Sequence, residues 1–384
     1  MPCHLDGTRA LQSTDPREIV IGLKQRMGRV RLTGTADPAG RRQALGRAAL
    51  ALGIGLAGGM VFHALNLPLP WMLGALCTTL SAAILGLPIR TPEKLRPPVI
   101  AVIGVLLGSS FTPMLLARIP GWLPSLALLG VYCGVGAALV VPIYRRFGGF
   151  DPVTAYFAGM PGGLAEMMMI GGAMGGDDRK IILAHAARIV ITVTAIAFWF
   201  RLVMGYQVSG NPGGPLFATM AARDALILAA CGVVGAIVAT RLRLPAATLL
   251  GPMMLSGLAH ASGVTASAPP PGLVIASQVA LGTVMGCRFV GVSPRLIGRA
   301  LILSMLATGV MLALALAFAF LLQATLGFDR SLVLLAFAPG GLTEMSLVAL
   351  AMKSEVAFVA LHHVVRIVLV IVMAPVAFRI FRIG

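Results

Sequence analysis

The chain has 384 residues, of which 58% are hydrophobic and 11% charged, with a formal net charge of +17. A soluble domain carries about 25% charged residues, so this chain cannot clothe a water-facing surface of its size. A soluble enzyme and a disordered polymer are both excluded, which leaves a polytopic all-α membrane protein. The basic balance invites a nucleic-acid reading, but the distribution of charge opposes it. Nine of the thirty Lys and Arg residues precede residue 48, and most others sit at the ends of apolar runs. Membrane proteins keep cytoplasmic charge in such places. The five cysteines are single and far apart, so neither a disulfide framework nor a zinc site is expected.

Residues 1–45 carry eight Lys and Arg with no long apolar run, and are expected to form a disordered cytoplasmic tail. Apolar segments then fall at about 46–66, 68–87, 97–117, 122–144, 151–175 and 180–204. A Gly/Pro-rich linker, Gln207 to Pro215, separates them from a second set at about 224–241, 244–262, 272–290, 300–323, 330–352 and 355–378. The two sets match. Pro161-Gly162-Gly163-Leu164-Ala165-Glu166-Met167 aligns with Pro339-Gly340-Gly341-Leu342-Thr343-Glu344-Met345 at a shift of 178. At the same shift His185 meets His363 and Arg188 meets Arg366. Gly55, Gly58, Pro68, Leu73 and Gly74 meet Gly232, Gly235, Pro245, Leu250 and Gly251 at a shift of 177. The expected organisation is therefore a first membrane repeat at 46–205, a periplasmic linker at 206–222 and a second repeat at 223–384.

Charge counting bears on how the repeats are oriented. If every segment crosses, the repeats are parallel, and the Lys and Arg outside the tail, Arg188 and Arg366 aside, divide ten to nine. If the Pro-Gly-Gly segments enter and return on one side, each repeat has five crossings and the repeats are inverted. The division becomes fourteen inside, with only Arg118, Arg201, Arg223, Arg330 and Lys353 outside. The positive-inside rule favours inversion with both termini cytoplasmic. Pro-Gly-Gly in mid-segment explains the return, because proline removes an N–H and paired glycines bend freely. Broken helices at matching places in two halves point to a transporter-type central site.

The expected substrate- or ion-binding set is Pro161, Gly162, Gly163, Glu166, His185 and Arg188, with Pro339, Gly340, Gly341, Glu344, His363 and Arg366. Glu166 and Glu344 are the two acidic residues inside apolar segments, where a carboxylate needs a partner. Each either caps the restarting half-helix, serves as a proton or cation site, or pairs with Arg188 or Arg366. His185 and Arg188 share a helix face, as do His363 and Arg366, and could close the same cavity. The alternative is that the arginines neutralise the glutamates while the histidines bond to backbone carbonyls. Met160, Met167, Met168, Met169 and Met174 crowd the first broken segment. They are better explained by packing around a bend than by copper(I) binding. No catalytic residue, cofactor or metal set is expected. The expected partners are membrane lipid and a small molecule or ion, without direct nucleic-acid contact; a homo-oligomer stays open.

The paired Pro-Gly-Gly-Leu-[Ala/Thr]-Glu-Met segments, each followed by His-x-x-Arg-Ile, resemble the bacterial AbrB membrane-protein family, as does Leu67-Pro68-Leu69-Pro70-Trp71-Met72-Leu73-Gly74. The resemblance covers about residues 46–380. It implies a duplicated protein of the Gram-negative inner membrane, named as a regulator of gene expression (of aidB) and sometimes labelled an ammonia monooxygenase. The residues supply no means of touching DNA and no clustered oxygenase ligands. What the resemblance implies is thus indirect regulation, through sensing or transport of a solute. The alternative is a secondary transporter of a small solute, anionic or not, coupled to protons or cations.

Overall fold

A computed structural model describes residues 38–114, 118–206 and 220–380. Among the described residues all regular structure is helical, in fourteen α-helices. In the first repeat these are α1 (Pro38–Ala64), α2 (Pro70–Ile84), α3 (Arg96–Gly108), α4 (Leu123–Arg146), α5 (Pro152–Gly159), α6 (Leu164–Ala173) and α7 (Asp178–Leu202). The second repeats the series as α8 (Ala222–Arg241), α9 (Ala247–Ala261), α10 (Pro271–Gly286), α11 (Pro294–Leu326), α12 (Arg330–Phe337), α13 (Leu342–Ala351) and α14 (Val356–Ile380). Helix α1 starts ahead of the expected residue 46. The tail before Pro38 and the linker from Gln207 to Pro215 lie outside the described residues. The described residues from Arg47 onward form one compact unit.

Among the described residues seven helices are long and apolar enough to cross a membrane. The segments expected at 68–87, 97–117 and 244–262 instead fold as helices of 15, 13 and 15 residues. At 1.5 Å per residue these reach about 20–23 Å, short of the ~30 Å hydrocarbon core. Proline sets their starts: Pro70 opens α2, and α3 begins Arg96-Pro97-Pro98.

The halves interlock. Helix α3 packs on α9 and α10 packs on α2, each pair drawn from both repeats. Within each half, α1 meets α2 at Gly58 and Gly74, and α8 meets α9 at Gly235 and Gly251. A methyl group at these places would strike the facing backbone. Small residues let helices approach this closely. The equivalent helices α4 and α11 pack together and run antiparallel. Tyr132 Oη donates to Met311 O at 3.4 Å, while Tyr144, twelve residues further on, meets Ser304 Oγ at 3.4 Å.

One spacing is not repeated. A methyl group on Gly55 of α1 would collide with Thr283 of α10, whereas one on the equivalent Gly232 would clear Val105 of α3 at 3.7 Å. Helix α8 thus stands further off α3 than α1 does from α10. An apolar cavity of about 620 Å³ lies there, lined by Pro97, Val105, Gly232 and Pro270 among others.

Candidate functional site

Each broken segment is two short helices around Pro-Gly-Gly. Asp151 caps α5 by accepting from Thr154 N at 2.9 Å, and Asp329 caps α12 by accepting from Leu332 N at 2.9 Å. Proline then ends the run: Met160 and Ala338 are extended, and α6 and α13 restart after Gly163 and Gly341. The break orphans carbonyls at the end of α5 and α12. In lipid such groups need protein partners.

The next long helix supplies them, identically in both halves. Arg188 on α7 donates from Nη1 to Met160 O (2.9 Å) and from Nη2 toward Gly162 O (3.5 Å) and His185 Nδ1 (2.6 Å). His185 Nε2 lies 2.9 Å from Phe157 O. On α14, Arg366 donates to Ala338 O (2.5 Å), Gly340 O (2.8 Å) and His363 Nδ1 (3.0 Å), and His363 Nε2 lies 3.1 Å from Leu335 O. All four side chains are buried. A guanidinium has only donors, so each Nδ1 must accept and each Nε2 must carry the hydrogen that its carbonyl receives. The histidines are therefore fixed as neutral imidazoles. The titration near neutral pH that is ordinary for histidine has no room here, because a second proton would point at an arginine.

Glutamine offers the same acceptor and donor pair. His185→Gln and His363→Gln are expected to melt within about 1 kcal/mol of wild type, whereas the leucine variants lose more. Melting of the wild type should show no histidine step between about pH 5 and pH 8; a clear step lost in the glutamine variants would overturn the assignment.

The glutamates do not pair with these arginines. Among the described residues neither Arg188 nor Arg366 has a carboxylate in salt-bridge range. Instead Glu166 and Glu344 fold back over Gly163 and Gly341, where a methyl group would meet a carboxylate oxygen. They stand in the first turn of α6 and α13, at the positive end of the helix dipole. Of the alternatives open from sequence, this position is compatible with a cap. Met167 and Met345 close over Gly162 and Gly340 in the same duplicated way. Met169 points outward, 65% exposed, so the methionines do not converge. Among the described residues no three His, Cys, Asp or Glu side chains gather as a metal would require.

Three groups were not singled out in the sequence. Tyr132 of α4 lies within electrostatic reach of both Arg188 and Arg366, and Tyr144 of Arg188; the two arginines reach one another. Arg288, which read as an ordinary end-of-helix charge, faces Glu344 together with Arg96, and its Nη1 is buried without a protein partner. Glu344 is buried while Glu166 is half-buried, and the residue equivalent to Arg288 in the first repeat is Ser110. The signal for Arg288 was available there: an arginine in one copy where the other has serine.

A family model described as "Transition state regulatory protein AbrB" matches residues 71–382. The chain is 24% identical over 360 residues to "Uncharacterized protein YhjN" of Bacillus subtilis (strain 168), covering 86% of this chain and 92% of that one. It is 23% identical over 325 residues to "Putative regulator AbrB" of Escherichia coli (strain K12), covering 83% and 91%. Neither relative's name describes an enzyme.

Proposed function

The chain belongs to the AbrB family, and from that premise we propose that it is an inner-membrane carrier of a small organic anion, built as two inverted repeats. Any regulatory effect then follows indirectly from the solute it moves. One observation carries this function above the others. Arg188 and Arg366 are buried within electrostatic reach of one another, and among the described residues each Nε–H lacks a protein partner and no carboxylate neutralises either. Two uncompensated charges at membrane depth are costly, and an anion brought between them would relieve that cost. The half-helix starts at Gly163 and Gly341 add N–H groups of the same preference.

The antiparallel course of α4 and α11 supports inversion, since equivalent helices of parallel repeats would run the same way. The packing of α3 on α9 agrees. Gly104 faces Leu249 and Pro252, and Gly108 faces Met253 and Ser256, so the two run parallel. The third helix of one repeat and the second of the other share a direction only if one repeat is inverted. Single cysteines replacing Phe147 and the equivalent Thr325, in a background lacking the native cysteines, should react with an impermeant reagent from opposite faces. Labelling of both from one face would overturn inversion.

Uptake of labelled lactate, gluconate and succinate into proteoliposomes tests the carrier itself. Glu344→Gln removes the charge facing Arg288 and keeps the cap, and should lower uptake at least about tenfold while insertion and melting persist. Glu166→Gln, without an arginine in the place of Arg288, should lose less. If no carboxylate is moved, the carrier fails. A sensor, which the names of the family and its relative favour, would be supported by a transcript change that survives in transport-dead variants.

A further inference from the structure

We propose that the cavity between Arg118 and Lys353 is an anion-binding vestibule for a small hydroxylated carboxylate, at the membrane face opposite the termini. This rests on the carrier function and names its entry point. The cavity measures about 440 Å³ and is lined by Ser110, Thr112, Arg118, Lys353, Ser354 and Glu355, among others. Arg118 forms an ion pair with Glu355, so the Lys353 ammonium is left as the surplus positive charge. The hydroxyl groups of Ser110, Thr112 and Ser354 line the same cavity and suit the polar body of such a solute. The volume falls in the range of small-molecule sites.

Comparison of the two halves isolates Lys353. Among the described residues left-handed backbone recurs at five matching places of the duplication. Gly86 and Gly263, and Gly149 and Gly327, are glycines in both copies; Asn66 and Arg243, and Leu69 and Ala246, are non-glycine in both. The exception is Gly175 (φ 92°), whose equivalent in the second repeat is Lys353 (φ 55°). A left-handed lysine costs backbone energy that glycine avoids, so this copy holds the ammonium at a place where its twin has none. Under inversion only five Lys and Arg outside the tail face this side, and two of them stand in this one cavity. The cavity also opens at the start of α14, which carries Arg366 ten residues, or about 15 Å, further along the helix.

Modification of Lys353 by an impermeant amine reagent, read by peptide mass spectrometry, tests the vestibule in the full chain. In nanodiscs of zwitterionic lipid, sodium lactate or gluconate should slow the reaction at least about threefold relative to sodium chloride of equal ionic strength. The exposed Lys94 serves as the control and should not respond. Equal rates in carboxylate and chloride would overturn the vestibule. So would protection that requires anionic lipid, which would assign the site to a headgroup phosphate. Lys353→Gly restores the residue of the first repeat. It should melt no lower than wild type and raise the half-saturating carboxylate concentration for uptake about fivefold. Unchanged half-saturation would overturn the proposal even if the variant were less stable. Unprotected Lys353 with normal uptake removes the vestibule alone. Protected Lys353 with no uptake removes the carrier and leaves an anion receptor.

Discussion

Arg366→Gln is expected to lower stability by about 3–5 kcal/mol, and Arg188→Gln by a similar amount. Each arginine reaches two broken-helix carbonyls and one imidazole nitrogen. Losing the donor leaves up to three buried acceptors at ~1–3 kcal/mol apiece, and glutamine can recover one. Interhelical hydrogen bonds in membranes average only about 0.6 kcal/mol, because the separated helices find other partners. That discount does not apply to carbonyls beside Pro-Gly-Gly, which the chain itself cannot pair. Arg366→Lys should fall between, since an ammonium keeps the charge but lacks the planar fork. Melting of detergent-solubilised protein provides the measurement. A loss below about 1 kcal/mol for both glutamine variants would mean that the carbonyls are satisfied in some other way.

Gly251→Leu is expected to cost about 3 kcal/mol or more, because the new side chain must enter the backbone of α8 at Gly235. Gly74→Leu should behave alike against Gly58. Gly53→Leu is the control. That glycine is exposed with nothing within 4 Å, so its substitution should stay within about 0.5 kcal/mol of wild type. If all three variants melt together, the glycine crossings do not hold α1 to α2 or α8 to α9.

The division of the chain into helices was legible because lipid enforces it. Apolar runs separated by polar turns, and proline with paired glycines at mid-run, allow few other folds. The duplication was legible from identities alone, and it placed Glu166 with Glu344 and Arg188 with Arg366 at equivalent sites. The partners of these residues were not legible. A glutamate and an arginine in adjacent apolar segments suggested a salt bridge, yet the backbone had the stronger need. Carbonyls freed by Pro161 and Pro339 drew the arginines, while the glutamates lie over Gly163 and Gly341 in the first turns of α6 and α13. The shortness of α2, α3 and α9 was hidden as well, since hydropathy marks an apolar run but not the residue at which its helix stops. The packing of α3 on α9 joins residues some 150 positions apart in sequence, beyond the reach of any local pattern.

If the chain is the carrier proposed above, the two guanidiniums, which have no carboxylate partner among the described residues, would also decide what the empty protein keeps out. Fixed positive charge in a low-dielectric interior raises a barrier to sodium and hydronium ions, much as an arginine guards a water pore. An anion lodged between Arg188 and Arg366 would cancel that field and lower the barrier for a cation to follow. In the proposed carrier, leak without cargo would then be suppressed by the same charges that would bind cargo, and the membrane potential would be protected by the very groups whose burial made them look uneconomical.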